Sequence, residues 1–170
     1  YLEAKRGKTV AKVGRQLVHT VFTKSNDTKM IPNTFDGVTL VNKSLPKTKI
    51  QLAYLTGQKL RDHINTHDIL AFNSWSENDD GAVNKSLTSD LIGTDNKLQI
   101  VSASTKAFKN HKSDVSIANI PNVLTTTIVE GNHIFKFRNG LKITPAVRYI
   151  NQQDNLNTIV SVANLKADTK

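Results

Sequence analysis

The sequence predicts an all-β fold of short antiparallel strands, each with one apolar and one polar face. Apolar and polar residues alternate with period two, helical periodicity is weak, and turn residues recur at hairpin spacing. Such strands build soluble sandwiches as well as membrane barrels. No stretch approaches the roughly 18 consecutive apolar residues of a membrane helix, so a membrane-spanning version of this chain has to be a barrel.

The clearest alternation covers residues 133–150. Phe135, Phe137, Leu141, Ile143, Pro145, Val147 and Tyr149 fall on one face, and Lys136, Arg138, Lys142, Thr144 and Arg148 on the other. The turn in this segment can be chosen by asking which loop keeps the faces apart. A two-residue Asn139-Gly140 loop would put Phe137 opposite Lys142 and mix them. A three-residue loop with Gly140 in the left-handed position pairs Phe137 with Leu141, Lys136 with Lys142 and Phe135 with Ile143. The three-residue hairpin is therefore predicted. It sets two lysines directly opposite each other, which is unfavourable unless they face water or an anion.

A second hairpin is expected around Arg6-Gly7, with Leu2, Ala4, Ala11, Val13 and Leu17 on one face and Glu3, Lys5, Lys8 and Lys12 on the other. In residues 49–56, Ile50, Leu52 and Tyr54 oppose Lys49 and Gln51. Further strands are expected at 38–42, 69–75, 98–105, 122–129 and, weakly, 157–165, giving about eight to ten in all. Residues 76–90 and 109–113 read as polar loops, with room for a helical turn at 87–93. No linker or repeat divides the chain, so residues 1–170 are expected to form part of one domain.

The 170 residues carry 23 Lys and Arg against 14 Asp and Glu, a formal charge of +9. Such a surplus suits nucleic acid, an anionic surface or acidic solutes. Nucleic acid is disfavoured, because alternation sends the aromatics and the cations to opposite faces and no stacking platform results. The chain has no cysteine, which removes disulfides and thiolate metal sites. His63 and His67 stand four apart beside Asp62 and Asp68, a chelating spacing on a helix, but Asn65-Thr66 between them favours a turn, so no metal site is expected. His19, His111 and His133 read as isolated polar residues. No G-x-S-x-G, P-loop or dinucleotide fingerprint is present, and neither an enzyme nor a cofactor is expected.

Residues 12–42 bear on the choice left open by periodicity. Lys12-Val13-Gly14 leads into Ser25-Asn26-Asp27-Thr28-Lys29-Met30-Ile31-Pro32-Asn33-Thr34-Phe35-Asp36-Gly37. This order resembles the OprD-like outer-membrane porins, especially their epsilonproteobacterial members: a strand with a K-x-G motif, a polar S-N-D stretch, a basic residue, two apolar residues and Pro, then Thr-Phe, an acidic residue and Gly. Residues 49–62 look like the family's next strand and loop.

The resemblance implies an antiparallel transmembrane β-barrel in the bacterial outer membrane, of which this chain is an internal fragment. It further implies an inward-folded loop that narrows the pore and a ladder of cations that leads small anionic or carboxylate-bearing solutes through it. Lys29 takes the family's basic position, often Arg, and Asp27 its acidic position. Lys keeps the charge but lacks the two-pronged fit to a carboxylate. Lys136, Lys142 and Arg148 are expected to line the pore. Arg15 shares parity with Ala11, Val13 and Leu17, which argues against a lumen role. Phe135, Phe137 and Tyr149 are expected to meet outer-membrane lipid, and association with like subunits is compatible with this reading. The alternative is a soluble or periplasmic β-sandwich binding module, with the same apolar faces forming a core. A barrel should need detergent for extraction and migrate heat-modifiably on gels, whereas a sandwich should remain in the aqueous fraction.

Overall fold

The computed structural model describes residues 1–23, 32–60, 66, 68–69, 71–72, 85–86 and 97–155. Twelve strands occur among them: β1 (Leu2–Arg6), β2 (Thr9–Gln16), β3 (Thr34–Asn42), β4 (Thr48–Lys59), β5 (Ala71–Phe72), β6 (Lys85–Ser86), β7 (Leu98–Thr105), β8 (His111–Ile120), β9 (Leu124–His133), β10 (Phe135–Lys136), β11 (Lys142–Ile143) and β12 (Ala146–Asp154). Eight of them form one sheet in the order β1-β2-β3-β4-β7-β8-β9-β12. All its pairings are antiparallel. The short pairs β5-β6 and β10-β11 stand outside it.

Along its middle rows the sheet is apolar where it is exposed and polar where it is buried. Ala11, Leu40, Leu52, Val101 and Ile117 lie directly across from one another on five strands, and Val101 is 51% exposed. One residue along, the row Gln51, Ser102 and Ser116 points the other way. Gln51 and Ser116 are 6% and 7% exposed, and the Ser116 hydroxyl donates to Ser102 Oγ at 3.0 Å. A soluble sandwich requires the opposite arrangement, because large aliphatic side chains leave water and glutamine stays in it. Outer-membrane barrels alternate apolar-out with polar-in. The sandwich alternative is set aside.

The hairpin predicted at residues 138–140 is present. Gly140 takes φ +83°, the Phe137 N–H donates to Leu141 O at 2.9 Å, and Lys136 stands opposite Lys142. The same register continues below the turn, where Ala146 lies opposite Asn132. β9-β10 and β11-β12 are therefore one long hairpin, interrupted where Pro145 has no N–H to give. There the His133 N–H donates to Pro145 O, and the Ile134 N–H donates to Asn110 O in the β7-β8 turn.

Three expectations need correction. The first hairpin turns at Gly7-Lys8, not Arg6-Gly7, with Arg6 opposite Thr9. A slip of two residues leaves every side chain on its expected face, so alternation alone could not fix the register. Gly7, at φ +58°, takes the glycine position of a type II′ turn. Residues 109–113 are not a loop throughout: β8 begins at His111 and extends to Ile120, its alternation hidden by the polar start His111-Lys112-Ser113-Asp114. His111 and His133 are not isolated either, since they face each other across β8 and β9 with ring centroids 6.0 Å apart. The expected strand at 98–105 is β7, while 157–165 and the turn at 87–93 lie outside the described residues.

Gly37 of the Thr34-Phe35-Asp36-Gly37 motif sits where the β3-β4 register shifts. Its φ is +153°, and a Cβ there would lie 2.2 Å from Tyr54 O and 2.8 Å from Leu55 Cα. Only glycine allows the β4 backbone this close. Gly37→Ala is expected to destabilise the barrel by about 3 kcal/mol, the upper part of the usual overpacking range. Gly131→Ala, with nothing nearer than 3.9 Å to its added carbon, should have little effect. Urea unfolding in lipid vesicles compares the two.

Candidate pore-lining wall

Two parts of the buried face differ in chemistry. Toward the start of β3 it is apolar: Phe35, Ala53, Leu55, Ile100 and Ala118 form a cluster. Residues 17–23, which follow β2, turn onto this patch. Val18, 2% exposed, joins the cluster and Phe22 packs beside it. Thr20 shapes the turn, its Oγ accepting from the N–H groups of Phe22 and Thr23 at 3.1 and 3.2 Å. The segment is held to the wall by burial of apolar surface on the face that is otherwise polar.

Gln16 fixes the point at which the chain leaves β2. Its side chain is buried, and its amide lies over the cross-strand pair Gly14 and Gly37, donating to Gly14 O at 3.3 Å and Gly37 O at 3.2 Å. Its Oε1 accepts from the Thr39 hydroxyl at 2.7 Å. The amide ties β2 to β3 at the point where the inward segment begins.

Beyond the apolar patch the wall becomes polar around a cavity of about 540 Å³. His19, Thr20 and Val21 of the inward segment border it on one side, and Gln51, Ser102, Ser116, Lys49, Lys112, Asp114 and Glu130 on the other. Register produces a charged row across five strands: Lys49, Ser104, Asp114, Glu130 and Arg148. The two acids stand opposite each other, a repulsive arrangement by itself. Each has a cation: Lys112 Nζ is 2.6 Å from Asp114 Oδ2, and Arg148 Nη2 is 2.9 Å from Glu130 Oε2.

Of the residues singled out in the sequence, Arg148 is in this row. Lys136 and Lys142 are exposed and face each other on the β10-β11 extension, away from the cavity. Lys29 and Asp27 lie outside the described residues, as do His63 and His67. Arg15 is on the outer, apolar face, as its parity indicated. There it makes a two-pronged ion pair with Asp36, at 3.0 Å from Nε and 3.1 Å from Nη2, and also donates to the Thr66 hydroxyl. The acidic residue of the Thr-Phe-Asp-Gly motif thus holds a neighbouring strand. Sequence reasoning did not select Lys49, Lys112, Asp114, Glu130 or His19. Parity marked Lys49, which it set with Gln51 against Ile50 and Leu52.

Residues 2–162 match the family described as outer membrane porin, OprD family. The chain belongs to the OprD family of outer-membrane porins. Its fold matches those of solved porins at low identity. The crystal structure of Pseudomonas aeruginosa OpdK with vanillate superposes with a TM-score of 0.71 at 15% identity, covering 90% of this chain and 37% of that one. Acinetobacter baumannii OccAB4 gives 0.72 at 15%, with 92% and 36% covered. Pseudomonas aeruginosa OpdQ gives 0.71 at 17%, with 91% and 40% covered. This OprD-family chain thus spans a little over a third of the length of these relatives. No curated protein matches it. OprD-family proteins are porins of the outer membrane, not enzymes.

The Gln16 bridge supplies a test of the wall in this OprD-family chain. Gln16→Leu strands the buried Thr39 hydroxyl and removes the donor to Gly14 and Gly37. A loss of about 1–3 kcal/mol is expected for unsatisfied buried groups, read as a lowered urea midpoint in lipid vesicles.

Proposed function

We propose that this chain forms part of the wall of a passive channel for small anionic or carboxylate-bearing solutes. The observation that carries the reading is the cavity between the inward segment and the sheet, which Lys49 and Lys112 border with Arg148 in the adjoining row. In a narrow pore with low-dielectric walls, cations raise the local concentration of anions and lower the barrier to their entry. No proton transfer or covalent step is needed. Lys29, Asp27, Lys136, Lys142 and Arg148 are the proposed pore-lining residues, with Lys49 and Lys112 added on the geometry above. Asp114 and Glu130, each paired to a cation, divide the positive field and favour weak binding at several points over one deep trap. OpdK was crystallised with vanillate, a carboxylate, which supports the same solute class here. Residues 1–170 act within a single barrel domain, whose outward Phe135, Phe137 and Tyr149 contact lipid.

Planar-bilayer recording of the full-length protein tests the reading. Anion preference is expected, with a marked loss when Lys49→Glu and Lys112→Glu are combined and a smaller one when Lys136→Glu and Lys142→Glu are combined. Cation preference in the unaltered channel would overturn the proposal. Unchanged preference in the Lys136/Lys142 double variant would remove that pair from the lumen. In the same recording Val18→Asp should raise conductance, because a carboxylate at this buried site costs several kcal/mol and drives residues 17–23 off the wall.

A further inference from the structure

The positive charge of this chain is concentrated at one end of the sheet. Strand order puts four connections there: the turn after β1, the β3-β4 turn, the β7-β8 turn and the tip of the long hairpin. Residues 5–8, 43–49, 106–112 and 135–142 each contain three Lys or Arg and no Asp or Glu. These four segments hold twelve of the chain's 23 basic residues and none of its 14 acidic ones. Lys49 and Lys112 belong to the inner wall. Of the others, Lys136 and Lys142 are the proposed pore-lining pair, while Lys43, Lys47, Lys106, Lys109 and Arg138 are exposed on the rim.

A second observation separates a membrane surface from a soluble anion as the partner. Each of the three longer connections carries exposed large apolar side chains among its cations. Leu45 lies between Lys43 and Lys47, Phe108 between Lys106 and Lys109, and Phe137 between Lys136 and Arg138; their exposures are 55%, 71% and 49%. A rim that served only dissolved anions would gain nothing from phenylalanine and leucine at its tips. At a bilayer surface the combination is favourable, with apolar tips entering the glycerol and acyl boundary while lysine stems extend their ammonium groups to phosphates. On the outward face of the same end, Phe108, His111, His133 and Phe135 follow one another with ring centroids 6.3, 6.0 and 4.6 Å apart. This is an amphipathic cluster of the kind that sits at headgroup level.

The leaflet follows from connection length. This end has the turns at 7–8, 43–47 and 106–110, whereas the opposite end has the connections 17–33 and 60–97 as well as the turn 121–123. Short turns mark the periplasmic end of a bacterial outer-membrane barrel.

We propose that the basic, apolar-tipped rim made by the β3-β4 turn, the β7-β8 turn and the 135–142 hairpin is a binding surface for anionic phospholipid headgroups in the inner leaflet of the outer membrane. The phosphate diester of a phosphatidylglycerol-type lipid is its ligand chemistry. The claim rests on the chain spanning the outer membrane and is independent of which ions the lumen prefers.

The full-length protein, held in nanodiscs of phosphatidylethanolamine with a minor share of phosphatidylglycerol, supplies the test. Lipids retained on the protein are counted by native mass spectrometry. Enrichment of phosphatidylglycerol is expected, at about fivefold per engaged cation at low salt, falling as ionic strength rises. Combining Lys43→Gln, Lys47→Gln, Lys106→Gln, Lys109→Gln and Arg138→Gln should bring the two lipids to equal retention, with heat-modifiable migration as the check on folding. If that variant does not fold, Lys106→Gln with Lys109→Gln alone should still cut the enrichment by about fivefold or more at low salt. Leu45→Ser with Phe108→Ser should lower it while leaving every charge in place. Equal retention of both lipids by the unaltered protein overturns the proposal. So does displacement of phosphatidylglycerol by inorganic phosphate together with no effect of the Leu45/Phe108 variant, the signature of a soluble-anion site.

Discussion

Neighbouring residues on a paired strand point to opposite faces, and in this sheet one face carries exposed aliphatic side chains and the other polar ones. The rest of the structure depends on that constraint. Each backbone N–H and C=O within a bilayer needs a partner inside the protein, so continuous pairing from β1 to β12 is required before any side chain contributes. Once pairing is fixed, the sequence controls only which residues go inward. The result is a wall that carries Leu52 and Val101 outward and Gln51 and Ser102 toward the cavity from adjacent positions of the same strands.

The exceptions to this division carry the most information. Ala53, Leu55, Ile100 and Ala118 are apolar on the inward face because Val18 and Phe22 cover them. Arg15 and Asp36 are charged on the outward face because each neutralises the other. Both exceptions adjoin Gly14, Gly37 and Gln16, where β2 pairs with β3 and β4 comes close to Gly37. The short family motifs in this region therefore describe one construction: glycines that let backbones approach, an amide that joins them, an ion pair outside and a covered apolar patch inside.

Much of this was legible in the sequence, and the remainder follows a physical pattern. Face-sorting fixed the hairpin at residues 138–140, since only one loop length keeps Phe137 away from Lys142. The same register carries Arg148 to Glu130, a pairing that could have been read off by continuing the hairpin past Pro145. Sorting could not fix the β1-β2 register, because a slip of two preserves the faces. It overlooked β8, because inward-facing Lys112 and Asp114 resemble loop residues until they are seen to bond each other at alternate positions. The family resemblance implied an inward-folded loop without residue bounds, and it did not point to residues 17–23. Val18 and Phe22 carry no local signal, and their destination depends on Leu55 and Ile100, which come from distant strands.

The break in the long hairpin has a mechanical meaning. At Ile134 the backbone stops bonding to its own partner strand and bonds to Asn110 in the adjacent turn. The overhanging hairpin is thus a cantilever whose root is bolted to its neighbour, so a pull on its tip is shared with the β7-β8 turn instead of unzipping β9 from β12.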